Sequence, residues 1–105
     1  MKKRRVMIVP LVREQIREQV EYIAGDSLDN ALAWEKRLRG FILGLGSTGG
    51  IHAEDRAASA RLGFIVHKVV FERTYLIHYH IDEKARVVRV VNFRHGARLP
   101  RAGEP

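Results

Sequence analysis

The 105-residue chain contains no cysteine. Disulfide bonds, thiolate zinc sites and cysteine nucleophiles are therefore excluded. The sequence also lacks an apolar run near the ~18–20 residues that span a bilayer, and the stretch VMIVP after the basic start is too short for the core of a signal peptide. These absences predict a soluble protein of the reducing cytoplasm with no membrane segment.

Several catalytic signatures are missing as well. The sequence has no glycine-rich phosphate loop, no Ser-His-Asp signature and no paired-carboxylate motif. We expect no cofactor. A second hydrophobic core would have too little material in a chain of this length, so we expect a single domain over residues 1–105, with basic tails at 1–5 and 94–105.

Positive charge is abundant and clustered. The chain has 19 Lys and Arg against 12 Asp and Glu, which gives a formal charge of +7. Residues 2–5 are all basic, and six Lys or Arg but no acid lie between Glu83 and Glu104. A merely solubilising surface is the simpler alternative, but the clustering favours an acidic protein or a nucleic acid backbone as partner.

Two helical stripes follow a short apolar strand, RVMIVP, which ends at Pro10. Apolar side chains recur every three or four residues in both stripes: Val12, Ile16, Val20 and Ile23, then Ala31, Trp34, Leu38, Phe41, Ile42 and Leu45. Gly25 is expected to end the first helix with positive φ, and Asp26 or Ser27 to cap the second. The pattern predicts an antiparallel helical hairpin with Trp34 in the core.

The second half of the chain is strand-like. Residues 46–63 are expected to form a loop with a short helical turn around 57–61. The stretches FIVHKVVF, TYLIHYHID and RVVRVVNF then predict three strands joined by tight hairpins. The predicted fold class is α+β in the order β-α-α-β-β-β, with the two-helix hairpin packed on a mostly antiparallel twisted sheet.

Two histidines lie on one face of the middle strand. His78 and His80 alternate with apolar residues, so their face is expected to be wet or functional, with rings about 6–7 Å apart. A metal would need a third ligand from Asp82, His67 or His95. We prefer the simpler interpretation, in which these are exposed polar positions and no metal is bound.

The stretch VVNFRHGARLP brings a second cluster to the end of the last strand. Imidazole can move protons near neutral pH, and guanidinium groups grip phosphate or carboxylate, so Arg94, His95 and Arg98 could cleave RNA. Additional candidates for that chemistry lie on the adjoining strands: Tyr75, Tyr79, Lys68 and Arg73. We favour the alternative, an electrostatic docking face at which no bond is broken.

With these motifs in order, the chain resembles the ParE/RelE superfamily, the toxins of bacterial and archaeal toxin–antitoxin systems, and more closely its ParE branch (plasmid stabilisation toxins). The resemblance lies in the first strand, the run ALAWEKRLRGFILGL, the closing strands and the ending HGAR. It implies a small growth-inhibiting toxin neutralised by a separately encoded, usually acidic antitoxin that wraps it with a helix and an extended segment.

The two branches of the family differ in activity. ParE-like members are associated with inhibition of DNA gyrase, whereas RelE-like members are ribosome-dependent endoribonucleases (mRNA interferases). A RelE-like arginine falls here on Leu76, which weakens the nuclease hypothesis, although Lys68 falls near a RelE-like lysine and His95 and Arg98 match the family's C-terminal polar positions.

Three hypotheses follow from the resemblance. In the first, the chain is a ParE-like toxin that binds DNA gyrase through Arg89, Arg94, His95 and Arg98 and its antitoxin through Arg73, His78 and His80. In the second, it is a metal-independent mRNA interferase that uses His95, Arg98, Lys68 and Tyr79. In the third, it is a non-toxic binding or regulatory homologue.

Overall fold

The computed structural model describes residues 3–96. Its elements follow the predicted order: β1 (Arg5–Ile8), α1 (Pro10–Ala24), α2 (Leu28–Thr48), a 3₁₀ turn (Gly49–Ile51), α3 (Arg56–Leu62), β2 (His67–Phe71), β3 (Tyr75–Asp82) and β4 (Val87–His95). The α+β class and the β-α-α-β-β-β order are confirmed, and the predicted helical turn is α3.

The four strands form one mixed sheet in the order β1-β4-β3-β2. The tight joins make β2, β3 and β4 an antiparallel meander, whereas the helical hairpin carries the chain over so that β1 pairs parallel with β4. A register shift lies between His78 and Tyr79, where β4 has an additional residue opposite β3. The sheet is mostly antiparallel, as predicted.

The hydrophobic core lies between the helical hairpin, α1 and α2, and one face of the sheet. Both predicted stripes contribute to it, with Val12, Leu38 and Ile42 almost fully buried. Trp34 is only 4 % exposed and packs its ring against Tyr75 at 5.2 Å between centroids, so its prediction as a core residue is confirmed. Burial of each such side chain contributes about 1.5–3 kcal/mol.

Helix α1 ends at Ala24 with Gly25 as its C-cap, which confirms the predicted end of the helix. Gly25 has φ −60°, so the turn does not use the positive φ that glycine permits. The chain turns through backbone hydrogen bonds from Asp26 and Ser27 to the carbonyl of Ile23. Ser27 then caps α2 by accepting a hydrogen bond from the backbone N–H of Asn30 at 3.1 Å.

Helix α2 extends into the segment that was expected to be a loop. It continues to Thr48 because Gly46 lies against β1, where the N–H of Arg4 donates to the Gly46 carbonyl at 3.0 Å. A Cβ on Gly46 would lie 2.4 Å from the Arg4 carbonyl oxygen, so only glycine permits this approach. The predicted loop start at residue 46 is therefore wrong.

Residues 52–65, here the α3 segment, lie against the opposite side of the sheet. The segment first runs along β2, with hydrogen bonds from Lys68 N to the Ala53 carbonyl and from Asp55 N to the Val66 carbonyl. Asp55 then caps α3 by accepting from Ala58 N at 3.0 Å, and Gly63 ends the helix with φ 84°. We call the sheet face that bears this segment the open face.

Candidate functional site

His78 is buried, although its strand face was expected to be open. Its side chain is covered by the α3 segment and the residue is 6 % exposed. Nε2 lies 2.9 Å from Asp55 Oδ2, and Nδ1 lies 3.0 Å from the side-chain nitrogen of Asn92. The expectation of an exposed His78 is wrong, and because both ring nitrogens are engaged, the ring is not presented to a partner.

A chain of hydrogen bonds fixes the orientation of this ring. The backbone N–H of Phe93 donates to Gln15 Oε1 at 3.0 Å, which leaves Gln15 Nε2 to donate to Asn92 Oδ1 at 3.4 Å. Asn92 therefore donates its amide N–H to His78 Nδ1, and Nε2 donates to the Asp55 carboxylate. Backbone N–H donation from Ala58, followed by the His78 hydrogen bond, lowers the pKa of Asp55.

Three of the five histidines hold the α3 segment to the sheet. Besides His78, His80 donates from Nδ1 to the Ile65 carbonyl at 2.8 Å, and His67 donates from Nδ1 to the His52 carbonyl at 2.9 Å. The His80 ring also contacts Phe64, edge to face, at 4.7 Å between centroids. Within residues 3–96 no three His, Asp or Glu side chains are grouped so that they could hold a metal ion.

Tyr79, a candidate for catalysis in the nuclease hypothesis, is fully buried. Its hydroxyl donates to the Gly49 carbonyl at 2.5 Å, and its ring stacks on His67. Burial raises the pKa of Tyr79 to about 12. The side chain stabilises the join between α2 and the sheet, and its burial with an engaged hydroxyl does not favour a role in catalysis.

Lys68 and His95 lie on opposite faces of the sheet. Lys68 is exposed and is the cross-strand partner of His78 on the open face. His95 is the partner of Tyr75, whose side chain belongs to the core beneath the helices, and the two rings meet edge to face at 5.3 Å. Since Tyr75 and His78 are also three residues apart, about 10 Å along the strand, the two candidates do not form one centre.

His95 lines an open cleft between α1 and the end of β4. The cleft exists because β1 ends at Ile8 while β4 continues to His95. Its volume is about 480 Å³, and its lining residues are Gln15, Glu18, Gln19, Tyr22, Phe93, Arg94 and His95. Arg98, which was expected beside His95, lies outside the described residues.

The remaining basic candidates are on the open face or at its end. Cross-strand neighbours on this face form four rows: Arg5, Val87 and Asp82; Met7, Arg89 and His80; Lys68, His78 and Asn92; Val70, Leu76 and Arg94. Arg89 is half-buried and Arg94 is exposed. Arg73 is exposed at the tip of the β2–β3 hairpin. The cluster of Arg94 and His95 is thus divided between the two faces.

Three residues of this site, Asp55, Asn92 and Gln15, are not among those predicted from the sequence. For Asp55 a signal was available, because an aspartate three residues before Ala58 and directly before a short helical pattern is a typical N-cap. No comparable signal marks Asn92 or Gln15, which meet only because of the irregular pairing of β4 and the early end of β1.

No protein-family model matches the chain, and no curated protein matches its sequence. None of the helices within residues 3–96 is both long enough and apolar enough to cross a membrane. The likeness to the ParE/RelE toxins therefore remains a prediction from motifs and their order.

Proposed function

We propose that this chain is the toxin of a type II toxin–antitoxin pair, similar to the ParE branch, and that it inhibits growth in the cytoplasm by binding DNA gyrase. Two features support the proposal: the motif order described above and an element order that places the helical hairpin on one face of the sheet. Arg89 and Arg94, with His95 and Arg98, remain the proposed target-binding residues.

One observation favours binding over RNA cleavage: the catalytic candidates do not converge. Metal-free cleavage needs a base, an acid and a cation around one phosphate. Here Tyr79 is buried with its hydroxyl engaged, and Lys68 and His95 lie on opposite faces. The helical layer and the sheet would have to be rebuilt to bring them together.

One observation still favours the alternative, in which the chain is an mRNA interferase. Leu76 occupies the position of the RelE-like arginine, but its cross-strand partner is Arg94. A guanidinium group therefore lies beside the expected place, on the neighbouring strand. For this reason cleavage is tested together with gyrase inhibition.

The antitoxin is proposed to be acidic and to cover the groove between α1, α2 and the end of β1. The groove has a volume of about 340 Å³ and an aliphatic floor: Ile8, Ile16, Val20, Leu38 and Ile42. Arg13, Arg17 and Arg39 line its rim together with Glu35. An amphipathic helix with acidic flanks suits such a groove. Arg73 and His80 remain proposed antitoxin contacts, whereas buried His78 does not.

The decisive experiment is DNA supercoiling by purified gyrase in a titration of the purified protein. We expect inhibition that increases with protein concentration, and relaxation by a type I topoisomerase in the same titration serves as the control. If growth stops after induction but supercoiling is unaffected at every concentration, the gyrase assignment is wrong.

The alternative is tested by primer extension on mRNA after induction of the wild type, His95→Ala, Arg94→Ala and Arg98→Ala. New 5′ ends at defined codon positions that disappear in these variants would establish the interferase. Their absence, together with growth arrest, would exclude it. Normal growth of the induced wild type without antitoxin would support the non-toxic homologue.

A further inference from the structure

We infer that the open face of the sheet, together with the α3 segment, is the surface that docks on the target, and that the target presents an acidic protein surface with apolar patches. This inference rests on the proposed function, since it locates the contact and defines the partner's chemistry. The helical hairpin covers the other side of the sheet and takes no part in this contact, whereas Arg94, at the end of β4, borders both the open face and the His95 cleft.

Charge is segregated between the two layers of the molecule. The helical hairpin, residues 10–48, contains six acidic and five basic residues. The other described parts of the chain, residues 3–9 and 49–96, contain eleven basic and five acidic residues. The excess positive charge of the described chain therefore comes entirely from the sheet side, and a complementary partner must be acidic there.

The cations of the two layers also differ in their partners. In the helical hairpin three of the five basic residues are paired, Arg17 with Glu14 and Glu21, Arg37 with Glu72, and Arg39 with Glu35, and the other two form no salt bridge within residues 3–96. On the open face Arg5, Arg89 and Arg94 form no salt bridge with any residue in 3–96. Arg89 loses part of its hydration in its half-buried position without gaining a counter-ion, and an acidic partner would supply one.

The five acidic residues of the sheet side offset only part of its eleven positive charges, and most of them are engaged in local contacts. The Asp55 carboxylate is held by His78 and by the N–H of Ala58. Asp82 accepts a hydrogen bond from the N–H of Ala85, and Glu83 forms two hydrogen bonds with Arg4. Glu72 pairs with Arg37, and Glu54 is exposed beside β2. Helix α3 adds two exposed arginines, Arg56 and Arg61, so the net charge of the sheet side remains positive.

Exposed apolar side chains lie among these cations, and they favour a protein over a nucleic acid. Met7, the neighbour of Arg89, is 45 % exposed, and Val70, in the row of Arg94, is 54 % exposed. Ile65 is 56 % exposed beside His80. Aliphatic side chains between arginines are typical of protein interfaces, whereas single-stranded nucleic acids need a series of aromatic stacking platforms.

The first test measures the affinity of purified gyrase for the immobilised chain and for three charge-reversal variants. Arg89→Glu and Arg94→Glu reverse the charge on the open face, and Lys36→Glu makes the same change at an exposed position of α2 outside the antitoxin groove. We expect the open-face variants to weaken binding about tenfold or more, with a reduced salt dependence, and the Lys36→Glu control to remain within about threefold of the wild type. Arg94 is exposed, so its variant is interpretable even if Arg89→Glu folds poorly.

The opposite pattern would overturn the inference: wild-type affinity in both open-face variants, or an equal loss in the helical control, Lys36→Glu. In either case gyrase still binds the wild type, so the proposed function stands while the assignment of the surface fails. Circular dichroism melting of each variant shows that a loss of affinity is not a loss of folding.

A second arm does not depend on gyrase. A photo-crosslinking amino acid is placed at Met7 or Val70 on the open face, and at Leu32 on the outside of α2, in induced cells. If gyrase does not bind, an acidic protein captured from Met7 or Val70, and lost in the Arg89→Glu background, supports the surface while the proposed target fails. Nucleic acid adducts, crosslinks from Leu32 alone, or no crosslinks from the open face overturn the inference.

Discussion

His78 Nε2 lies 2.9 Å from Asp55 Oδ2, and this contact joins the middle strand to the N-terminus of α3. The helix has little apolar anchorage, since Ala58 is its one buried residue and Leu62 is 45 % exposed. The α3 segment is therefore held to the sheet largely by polar contacts, through side chains that a sequence pattern does not pair. Its stability is expected to depend on single hydrogen-bonding groups.

Replacement of Asp55 by alanine removes two stabilising interactions at once. The helix loses its cap, which costs about 1 kcal/mol, and the buried N–H of His78 loses its acceptor, which costs about 1–3 kcal/mol. We expect the free energy of unfolding to fall by about 2–4 kcal/mol in urea titrations. Asp55→Asn keeps one oxygen acceptor for the N–H of Ala58 but turns an NH₂ donor toward His78, so it should retain the cap and lose about 1 kcal/mol less than Asp55→Ala. Equal losses in the two variants would contradict this account.

The same carboxylate makes part of the protein's stability sensitive to acid. Hydrogen bonding to Ala58 and His78 lowers the pKa of Asp55 in the folded state, so its stabilisation is complete above the unfolded pKa of about 3.9 and is lost as the pH falls through the folded value. The stability difference between the wild type and Asp55→Asn should therefore be largest near neutral pH and shrink below about pH 4. A difference independent of pH from 7 to 3 would show that the charge contributes nothing.

The hydrogen-bond chain also determines the tautomer of His78. The backbone N–H of Phe93 can only donate, so Gln15 and Asn92 are both oriented and Nδ1 of His78 must accept. We expect two-bond ¹⁵N–¹H correlation spectra of the neutral ring to show a protonated Nε2 and an unprotonated Nδ1. In Asn92→Leu, where Nδ1 has lost its donor, the signals should shift toward those of a mixed population. A protonated Nδ1 in the neutral wild-type ring would be inconsistent with the chain.

Apolar periodicity was sufficient to predict the helical hairpin, the three later strands and the core position of Trp34, because each depends on neighbours within a few residues. The site was less predictable, since Asp55 and His78 are 23 positions apart and meet only when the α3 segment covers the sheet. The alternation that puts His78 opposite the core was correct, but alternation does not reveal whether a later segment covers that face. The same limit explains why the end of α2 is predicted too early. Gly46 contacts Arg4, which is 42 positions away in the sequence and comes close only in the folded chain.

Two glycines of α2 should respond oppositely to the same substitution. A Cβ at Gly46 would lie 2.4 Å from the Arg4 carbonyl oxygen, whereas a Cβ at Gly40 would meet nothing within 4 Å. Gly46→Ala should therefore displace β1 and lower the free energy of unfolding by about 2 kcal/mol or more, while Gly40→Ala should raise it by up to about 1 kcal/mol through helix propensity. Thermal unfolding of the two variants beside the wild type tests this, and a stabilised Gly46→Ala would show that β1 is not packed as described.

The β2–β3 hairpin contains local backbone strain. Both central residues of its turn have positive φ, 50° at Glu72 and 58° at Arg73, and the turn is closed by Thr74 N donating to the Phe71 carbonyl at 3.1 Å. Turns of this kind favour Asn-Gly, and a non-glycine residue in this region costs about 1–2 kcal/mol. Glu72 forms a salt bridge with Arg37, so the strain is best relieved at Arg73.

We expect Arg73→Gly to raise the free energy of unfolding by about 0.5–1 kcal/mol, because the relief of backbone strain exceeds the added entropy of the unfolded chain. Arg61→Gly, the same exchange inside α3, should lower it by about 1 kcal/mol. If chemical denaturation shows both variants to be destabilised alike, the hairpin tip does not hold these dihedral angles in solution.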